Sequence, residues 1–369
     1  MENIGLSGLG ELNILIALVV AFAIAYKAIP SIVTVAREKK LIDKPNHRTS
    51  HYQDVPTLGG VAIFAALIVS QCVFINIEGC ADLKYIVAGV VLVFFIGLKD
   101  DILAIAALKK LIIQIAAALI VAVLGNIRLT DLHGFLGITH IPYVASIVLT
   151  VFVIIVILNS VNLIDGIDGL ASGVCILTSL VFGIWFYLVG AIDYAIICAT
   201  IFGGSLGFFI FNVFGKKNKI FMGDTGSLIL GFYLAILAIK FNEINVYYFG
   251  SYRIFSSPAV SIGILVVPLF DTLRVFVLRT AAGRSPFIAD KNHVHHSLID
   301  LGMSHLKATL WILGTNVLFI VLSFLIYRRG IFNVIIVILV LSILASYIPI
   351  HLLRKRGIIK DRTENGSSA

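Results

Sequence analysis

The sequence predicts an all-α protein that crosses a membrane many times. Hydrophobic residues make up 59% of the 369 residues and charged residues 13%, whereas charged residues are about 25% of a typical soluble domain. The apolar residues also fall into long runs, many of them close to the roughly 17–25 residues that a helix needs to cross a bilayer. We therefore interpret residues 1–353 as one integral membrane domain and residues 354–369 as a polar cytoplasmic tail.

Eleven apolar runs can be followed along the chain, and each predicts one transmembrane helix. The first residues, MENIGLSGLGELN, lack the basic segment and the small-residue cleavage pattern of a signal peptide, so the first run predicts a helix that is retained. The third and eighth runs are the shortest. The runs lie at residues 12–35, 57–77, 83–98, 108–125, 143–161, 169–190, 194–213, 227–241, 257–278, 307–326 and 331–352.

Basic residues are distributed unevenly between the two sides of this predicted topology. When alternate loops are assigned to opposite sides, 20 of the 28 lysines and arginines fall on one side. Because cytoplasmic loops are enriched in basic residues, this asymmetry places the N-terminus outside and the C-terminus in the cytoplasm. The net charge of +8 is thereby explained by topology, and we expect no nucleic-acid partner.

The predicted cytoplasmic loops carry nearly all of the unusual polar residues, whereas the outer loops are short and mixed. Ionisable groups at the edge of a membrane bundle tend to face a cavity or a partner, so we expect five inner loops to form one polar cleft. These loops are REKKLIDKPNHRTSHYQDVPTLGG, GLKDDILAIAALKK, NLIDGIDGLASG, FGKKNKIFMGDTGS and RTAAGRSPFIADKNHVHHSLIDLG.

Two adjacent carboxylates, Asp100 and Asp101, lie at the inner end of the third run. Because like charges repel, such a pair stays ionised most easily beside a cation. Lys110, at the start of the fourth run, can supply a positive charge for phosphate. The alternative is a solvated helix end beyond the membrane.

The segment GDTGS places Asp224 between two glycines, directly before the eighth run. Ser227 can cap that helix, and the amides of a helix N-terminus that follows a flexible glycine suit a bound phosphate. A turn with a helix cap would explain the glycines and Ser227. It would not explain why Phe221 and Met222 are presented immediately before the acid.

The segment NLIDGIDG follows the fifth run. Asn162 and Asp165, three residues apart, share one helix face, and Gly166 is expected to break that helix so that Asp168 turns into the same cleft. Oxygen ligands brought together with phosphate are the usual setting for Mg²⁺, so the segment predicts a metal ligand and substrate contacts, with Mn²⁺ as the alternative ion. Simple capping of the break between two spans is the other interpretation.

The last inner loop contains HVHH, with His293, His295 and His296, and the preceding GRSPF contains Arg284. We interpret the histidines as donors to phosphate or sugar hydroxyls, and Arg284 as a bidentate phosphate ligand presented on a turn. Zinc is the alternative. A structural zinc site needs four ligands, however, and the next histidine, His305, lies nine residues further on.

Asp271 and Arg274 lie three residues apart inside the ninth run and are expected to neutralise each other within the bundle. They are also the only midspan feature that would suit an ion-coupled transporter, which is the alternative function from a different class. Transporters often show repeated halves, and no internal repeat is visible here.

Five of these segments, in matching order over about residues 40–300, resemble the polyprenyl-phosphate N-acetylhexosamine-1-phosphate transferases. They are PTLGG, GLKDD, NLIDGIDGLASG, FMGDTGS and SPFIADKNHVHH. The resemblance implies a multi-pass enzyme of the bacterial cytoplasmic (inner) membrane. Such an enzyme moves a sugar 1-phosphate from a UDP-N-acetylhexosamine to undecaprenyl phosphate at the cytoplasmic face, with magnesium, and releases UMP.

The resemblance also implies roles for the residues around the phosphates. Asp224 and Asn162 would hold magnesium on the pyrophosphate. Asp100 and Asp101 would lie beside the attacking lipid phosphate, and Lys110 would contact the phosphates.

Further roles concern the donor. Phe221 would stack on the uracil with Asp168 at its edge, and Asp165 would take part in substrate binding. The loop with Arg284 and His293 to His296 would bind the phosphates and the sugar.

Within the family, HVHH after SPF resembles the GlcNAc-1-phosphate branch that begins O-antigen, enterobacterial common antigen or teichoic acid linkage units. The alternative branch, which uses UDP-MurNAc-pentapeptide, has three consecutive histidines, a lysine shortly before its PTMGG, and ten spans. One departure from the family is FNVFGKKNKIFMGD, which is longer and lacks Pro-Ala, so the role of Asn212 stays open. Homodimerisation also stays open.

Overall fold

The computed structural model describes residues 3–43, 55–76, 80–281, 283 and 293–358. Within these ranges the regular structure is helical except for one short antiparallel pair, in which β1 (Ile42–Asp43) pairs with β2 (Val55–Pro56). The all-α fold class is therefore confirmed. Helices are also what a bilayer demands, because a helix satisfies every backbone hydrogen bond within its own segment.

A helix lies at each predicted apolar run, but the run at 257–278 is divided into two helices, and one short helix, Val294–Asp300, lies outside the runs. The bounds of the α-helices are α1 Asn3–Glu38, α2 Gly59–Phe74, α3 Leu83–Ile102, α4 Ala107–Leu119, α5 Tyr143–Leu163, α6 Leu170–Leu188, α7 Ile192–Phe214, α8 Gly223–Tyr247, α9 Ser257–Ile264, α10 Val266–Ala281, α11 Val294–Asp300, α12 His305–Ile326 and α13 Ile331–Lys355. One π-helical turn, Ile120–Leu124, continues α4.

The number of membrane spans differs from the number of apolar runs. In the described ranges eight helices are long and apolar enough to cross a membrane, and a ninth span is obtained if α9 and α10 are counted together. The helix α2 has only 16 residues, and the last turn of α3 contains three charged residues, Lys99 to Asp101. A count of eleven and the orientation in the membrane therefore remain predictions.

Helix α8 forms the centre of the bundle, and α2, α3, α5 and α6 pack against it. Glycines allow the closest of these approaches. A Cβ on Gly231 would lie 2.8 Å from the backbone of Leu158 in α5, and one on Gly89 would lie 2.6 Å from the ring of Phe232. This packing brings the end of α3 and the end of α5 to the start of α8.

A buried hydrogen-bonded chain links α2, α7 and α8. Tyr233 donates its hydroxyl to Gln71 Oε1 at 2.6 Å, and Gln71 Nε2 donates to Thr200 Oγ1 at 3.0 Å. All three side chains are fully buried, so each polar group needs a protein partner. The chain therefore fixes how these helices sit against one another.

The helices α9 and α10 are bent by 82° at Leu265. Pro268 in the first turn of α10 lacks the N–H that a continuous helix would require there, which favours a break at this point. The bend carries α10 toward α11, where the histidines lie.

Candidate active site

Four segments meet in a polar cleft: the end of α3, the start of α4, the end of α5 and the start of α8. Asp224, the second residue of α8, lies at its centre. Lys110 Nζ contacts Asp224 Oδ2 and lies 2.8 Å from Asp100 Oδ2. On the other side Asn162 Nδ2 donates to Asp224 Oδ1 at 2.9 Å and to Ser227 Oγ at 2.8 Å. One ammonium group thus bridges two carboxylates from different helices.

The adjacent residues Asp100 and Asp101 face different partners. Asp101 Oδ1 accepts from the backbone N–H of Asp224 at 2.7 Å, and Asp101 Oδ2 accepts from the Thr225 N–H at 3.0 Å and the Thr225 hydroxyl at 2.5 Å. Asp101 therefore caps α8 from a neighbouring helix. Asp100 accepts from Ile105 N–H with Oδ1 and presents Oδ2 to Lys110.

The motif PTLGG supports the segment that leads to Asp224. Phe221 N–H donates to Pro56 O at 2.8 Å, Gly59 N–H to Phe221 O at 2.9 Å, and Gly60 N–H to Met222 O at 2.9 Å. Sequence reasoning assigned no role to these residues beyond the resemblance. The two consecutive glycines were the available signal, because glycine permits the close approach of two backbones.

Replacing Gly60 by alanine is expected to lower the thermal midpoint of the purified protein. A Cβ there would lie 2.7 Å from the backbone carbonyl carbon of Thr225, and overpacking of this kind costs about 1–3 kcal/mol. The matched control is Gly314→Ala, because that helical glycine has open space around its Cβ position and alanine is the better helix former. Equal midpoints for the two variants would contradict the proposed close fit.

Asp165 lies in the link between α5 and α6, close to the other acids. Burial, reinforced by the carboxylates of Asp224, Asp101 and Asp168, raises the pKa of Asp165 to about 8. The side chain is therefore mostly protonated at neutral pH in the metal-free protein. A protonated carboxyl can donate a hydrogen bond as well as accept one.

This raised pKa predicts that the metal-free protein loses stability as the pH rises from about 4 to about 8. The native state keeps a proton that the unfolded chain has lost over this interval, so the unfolding free energy falls with pH. Asp165→Asn stays uncharged and should remove this contribution. The check is the thermal midpoint of the wild type and of Asp165→Asn, measured in chelator between pH 5 and 8.5. Parallel plots of midpoint against pH for the two proteins would contradict the prediction.

Asp168 is held by side chains from two other segments. Its Oδ2 lies 2.6 Å from Lys219 Nζ and 3.2 Å from His305 Nδ1, and its backbone carbonyl accepts from the Thr309 hydroxyl at 2.8 Å. Burial opposes ionisation, but the bonds from His305 and Lys219 outweigh it and hold the pKa of Asp168 below its ordinary value. No local sequence pattern links Lys219 or His305 to Asp168, because both lie far from it along the chain.

Asn212 has a structural role in this chain. Its Oδ1 accepts from Gly169 N–H at 2.6 Å, and its Nδ2 donates to Ile220 O at 3.0 Å. It thereby ties the α5–α6 link to the non-helical segment before α8. In that segment Phe221 is half-buried, whereas Ile220 and Met222 are buried in the core.

The histidines form a compact group at the start of α11. The ring centroids of His293 and His295 are 5.4 Å apart, and those of His295 and His296 are 4.3 Å apart. His295 packs against Gly166, and burial followed by the neighbouring His296 lowers the pKa of His295 to about 3, so its ring is neutral. Arg284 lies outside the described residues.

Asp271 contacts the histidine segment, which the sequence analysis did not foresee when it paired this acid with Arg274. His293 Nδ1 donates to Asp271 Oδ2 at 2.7 Å, and Val294 N–H donates to Asp271 Oδ1 at 3.0 Å. The bend between α9 and α10 makes this contact possible. A carboxylate inside an apolar run therefore anchors the loop that carries the histidines.

The donor set around Asp224 fits a magnesium ion. In the described part of the chain no group of three or more His, Cys, Asp or Glu side chains has the arrangement of a metal site. Magnesium usually takes only one or two protein carboxylates, together with waters and phosphate oxygens. Asp224 and Asp100 already share a cation in Lys110, and the amide of Asn162 carries an oxygen that could serve as a further ligand.

The residues around Asp224 lie in a part of the chain that matches a known protein family. The model for glycosyl transferase family 4 matches residues 83–242. A decaprenyl-phosphate N-acetylglucosaminephosphotransferase of Mycolicibacterium smegmatis is 32% identical over 293 residues, which is 73% of this chain and 71% of that protein. An undecaprenyl-phosphate alpha-N-acetylglucosaminyl 1-phosphate transferase of Haemophilus influenzae is 31% identical over 283 residues, which is 74% of this chain and 75% of that protein. The enzyme of the same name from Escherichia coli K12 is 28% identical over 279 residues, which is 74% of this chain and 73% of that protein.

Proposed function

This chain belongs to glycosyl transferase family 4, in the class of polyprenyl-phosphate N-acetylglucosamine-1-phosphate transferases, and on that premise we propose its reaction. It transfers GlcNAc 1-phosphate from UDP-GlcNAc to undecaprenyl phosphate, releases UMP and so starts a lipid-linked cell-surface glycan. The observation that carries the proposal is the convergence of Asp100, Lys110, Asn162 and Asp224 at one end of the helix bundle.

This convergence suits phosphoryl transfer because the reaction must bring two anionic phosphates together. Catalysis of such reactions rests mainly on positioning and charge neutralisation. Lys110 supplies a positive charge, and the N-terminus of α8 directs its backbone dipole toward the same place. Asp101 and the PTLGG backbone hold that helix end in position.

Magnesium is the metal we propose, with manganese as the alternative. Asp224 would hold it, with Asn162 as the second protein ligand. When bound, the ion would neutralise charge on the pyrophosphate of the donor. Lys110 would then be available to the phosphates of either substrate.

The acceptor needs orientation more than activation. The second pKa of a phosphate monoester is near 6, so the lipid phosphate is already mostly dianionic at neutral pH. Its oxygen attacks the β-phosphorus of the donor, and the bond from that phosphorus to the oxygen of UMP breaks. Asp100 would orient the lipid phosphate through Lys110 or accept its remaining proton.

A covalent aspartyl-phosphate is the competing route. In that route the enzyme would cleave the donor before the lipid binds. Labelled UMP would then exchange into UDP-GlcNAc in the absence of lipid. We expect no such exchange in lipid-free enzyme, and measurable exchange would overturn direct attack.

GlcNAc is the proposed sugar for two reasons. The HVHH motif resembles that of the GlcNAc branch, and the names of the relatives specify N-acetylglucosamine. UDP-MurNAc-pentapeptide is the alternative donor. We propose the bacterial cytoplasmic membrane as the location, with the active site on its cytoplasmic face. O-antigen, enterobacterial common antigen and teichoic acid linkage units are the candidate pathways.

A transferase assay tests the proposal directly. Purified protein would be given undecaprenyl phosphate, magnesium and a panel of UDP-N-acetylhexosamines that includes UDP-MurNAc-pentapeptide, with UMP release and labelled lipid as readouts. We expect metal-dependent labelling from UDP-GlcNAc. Turnover with UDP-MurNAc-pentapeptide alone would move the enzyme to the other branch, and no turnover with any donor would overturn the function.

The structure offers no specific support for an ion-coupled transporter. The midspan acid that suggested it, Asp271, has both carboxylate oxygens bonded to the 293–294 segment. Those bonds give the acid a role in positioning the histidine loop.

A further inference from the structure

A large cavity lies at the end of the helix bundle opposite Asp224. Its volume is about 840 Å³, and the 133–136 turn forms one wall. His133 Nε2 lies 3.2 Å from the carbonyl oxygen of Asn242, which is 18 residues further along α8 than Asp224. At 1.5 Å per residue this is about 27 Å, close to the roughly 30 Å of the hydrocarbon core of a bilayer. The cavity therefore lies near the membrane surface that faces away from the proposed active site.

The cavity carries positive charge without a compensating acid. Arg328, in the link between α12 and α13, lines it, and the described residues contribute no carboxylate to its walls. The Nε of Arg328 donates to the Tyr327 hydroxyl at 3.1 Å. A guanidinium group has five N–H donors, so this bond uses only one of them. Arg328 is exposed, and its terminal nitrogens can bind an anion in the cavity.

Two more arginines lie beside the same cavity. The guanidinium of Arg253 lies 5.4 Å from the ring centroid of Phe255, which forms another wall, and Arg329 lies between the lining residues Arg328 and Gly330. Outer loops of membrane proteins are poor in basic residues, and half of the lysines and arginines predicted on that side adjoin this one cavity. The residues predicted there are Lys84, Arg128, Lys240, Arg253, Arg328 and Arg329.

The apolar side chains that line the cavity are exposed. Leu136, Phe255 and Phe332 are 74%, 57% and 60% exposed, although each is large and hydrophobic. Aromatic side chains at a membrane surface lie at the level of the lipid headgroups. A site for a soluble anion would not need such an apolar rim, whereas a lipid presents both an anionic headgroup and apolar chains.

We propose that this cavity binds an anionic phospholipid of the outer leaflet, such as phosphatidylglycerol. The two free oxygens of its phosphodiester match the fork of the Arg328 guanidinium, and its glycerol and acyl chains would lie against Leu136 and Phe332. A zwitterionic phospholipid would bring an ammonium group into a cavity whose charged side chain is already positive. The site is about 27 Å from Asp224 along α8, so it is separate from the donor and acceptor sites and does not rest on the proposed reaction.

Photo-crosslinking in a membrane tests this proposal. The full-length protein is reconstituted in phosphatidylethanolamine vesicles that contain a small fraction of phosphatidylglycerol with a photoreactive acyl chain. Adducts are then located by peptide mass spectrometry. We expect adducts in the 133–136 and 327–333 segments. Excess unlabelled phosphatidylglycerol should remove these adducts, whereas phosphatidylcholine and soluble glycerol 1-phosphate should not.

Substitution of the arginine gives the expected magnitude. A hydrogen bond to a charged group is worth roughly 10- to 100-fold in affinity, so Arg328→Gln should lower the yield of these adducts about 10-fold or more. Arg328→Lys keeps the positive charge but not the fork, and should lose less. The matched control is Lys84→Gln, because Lys84 is an exposed basic residue in the first turn of α3, at the same end of the bundle. Its adduct yield should equal that of the wild type.

Adducts at the opposite end of the bundle serve as an internal reference. They should be unchanged in Arg328→Gln, and the thermal midpoint of each variant shows that the protein is folded. Competition by glycerol 1-phosphate as strong as that by phosphatidylglycerol would overturn the lipid in favour of a soluble anion. Wild-type protein without adducts in the two segments, or adducts that survive Arg328→Gln, would overturn the site. Loss of the proposed transferase function would leave these results unaffected.

Discussion

Asp224→Asn is expected to lower kcat by roughly 10³-fold or more, because Asp224 would hold the metal, and a single positive charge on a transferring phosphoryl group is worth about 10³–10⁵ in rate. Asp224 is the residue on which Lys110, Asn162 and the start of α8 converge. The substitution removes the negative charge that would hold the metal but keeps the shape of the side chain. Lys110 keeps its contact with Asp100, so the fold should be preserved.

The measurement is labelled lipid formed per enzyme at saturating UDP-GlcNAc and magnesium, together with the thermal midpoint. Asp300→Asn is the matched control, because that acid is exposed at the end of α11. The control should retain full activity. An Asp224→Asn enzyme with activity near wild type would show that the metal is held elsewhere.

Asp100→Asn and Asp101→Asn are both expected to lower activity, but for different physical reasons. Asp100 presents an oxygen to Lys110 in the cleft, so its substitution should lower kcat by about 10²–10⁴-fold, the usual contribution of a group that handles a proton in the transition state. Its thermal midpoint should change little. In Asp101→Asn only one acceptor oxygen remains for the three donors of Asp224 and Thr225.

Asp101→Asn should therefore lose stability as well as activity, since a buried donor left unpaired costs about 1–3 kcal/mol. The two variants are compared by kcat and by thermal midpoint in the same detergent. Equal thermal midpoints and equal losses of kcat in the two variants would contradict the different roles that the hydrogen bonds indicate for Asp100 and Asp101.

Much of the fold could be predicted because the membrane imposes strong rules on sequence. Apolar runs of bilayer length must be helical, and the structure has a helix at each predicted run. What the runs could not indicate was where a helix is too short to span or too bent to continue. The break between α9 and α10 lies beside Pro268, and a hydropathy average does not record the missing N–H of a proline.

Within the cleft, sequence reasoning identified the residues but not their partners. Asp100, Lys110, Asn162 and Asp224 were selected from separate motifs, and the structure brings them together. Lys219 and Asp271 were not assigned to their partners. Their partners are 51 and 22 residues away, and no local pattern links such distant positions.

The sequence by itself determined the membrane class, the helical architecture and the set of polar segments, because burial of apolar surface and satisfaction of the backbone in lipid act on local stretches of chain. Only the tertiary structure decided which oxygen faces which donor. Consecutive residues on a helix point about 100° apart, so the carboxylates of Asp100 and Asp101 leave α3 in different directions. The rotation of α3 against α8 made Asp101 the cap of α8 and left Asp100 to meet Lys110 in the cleft.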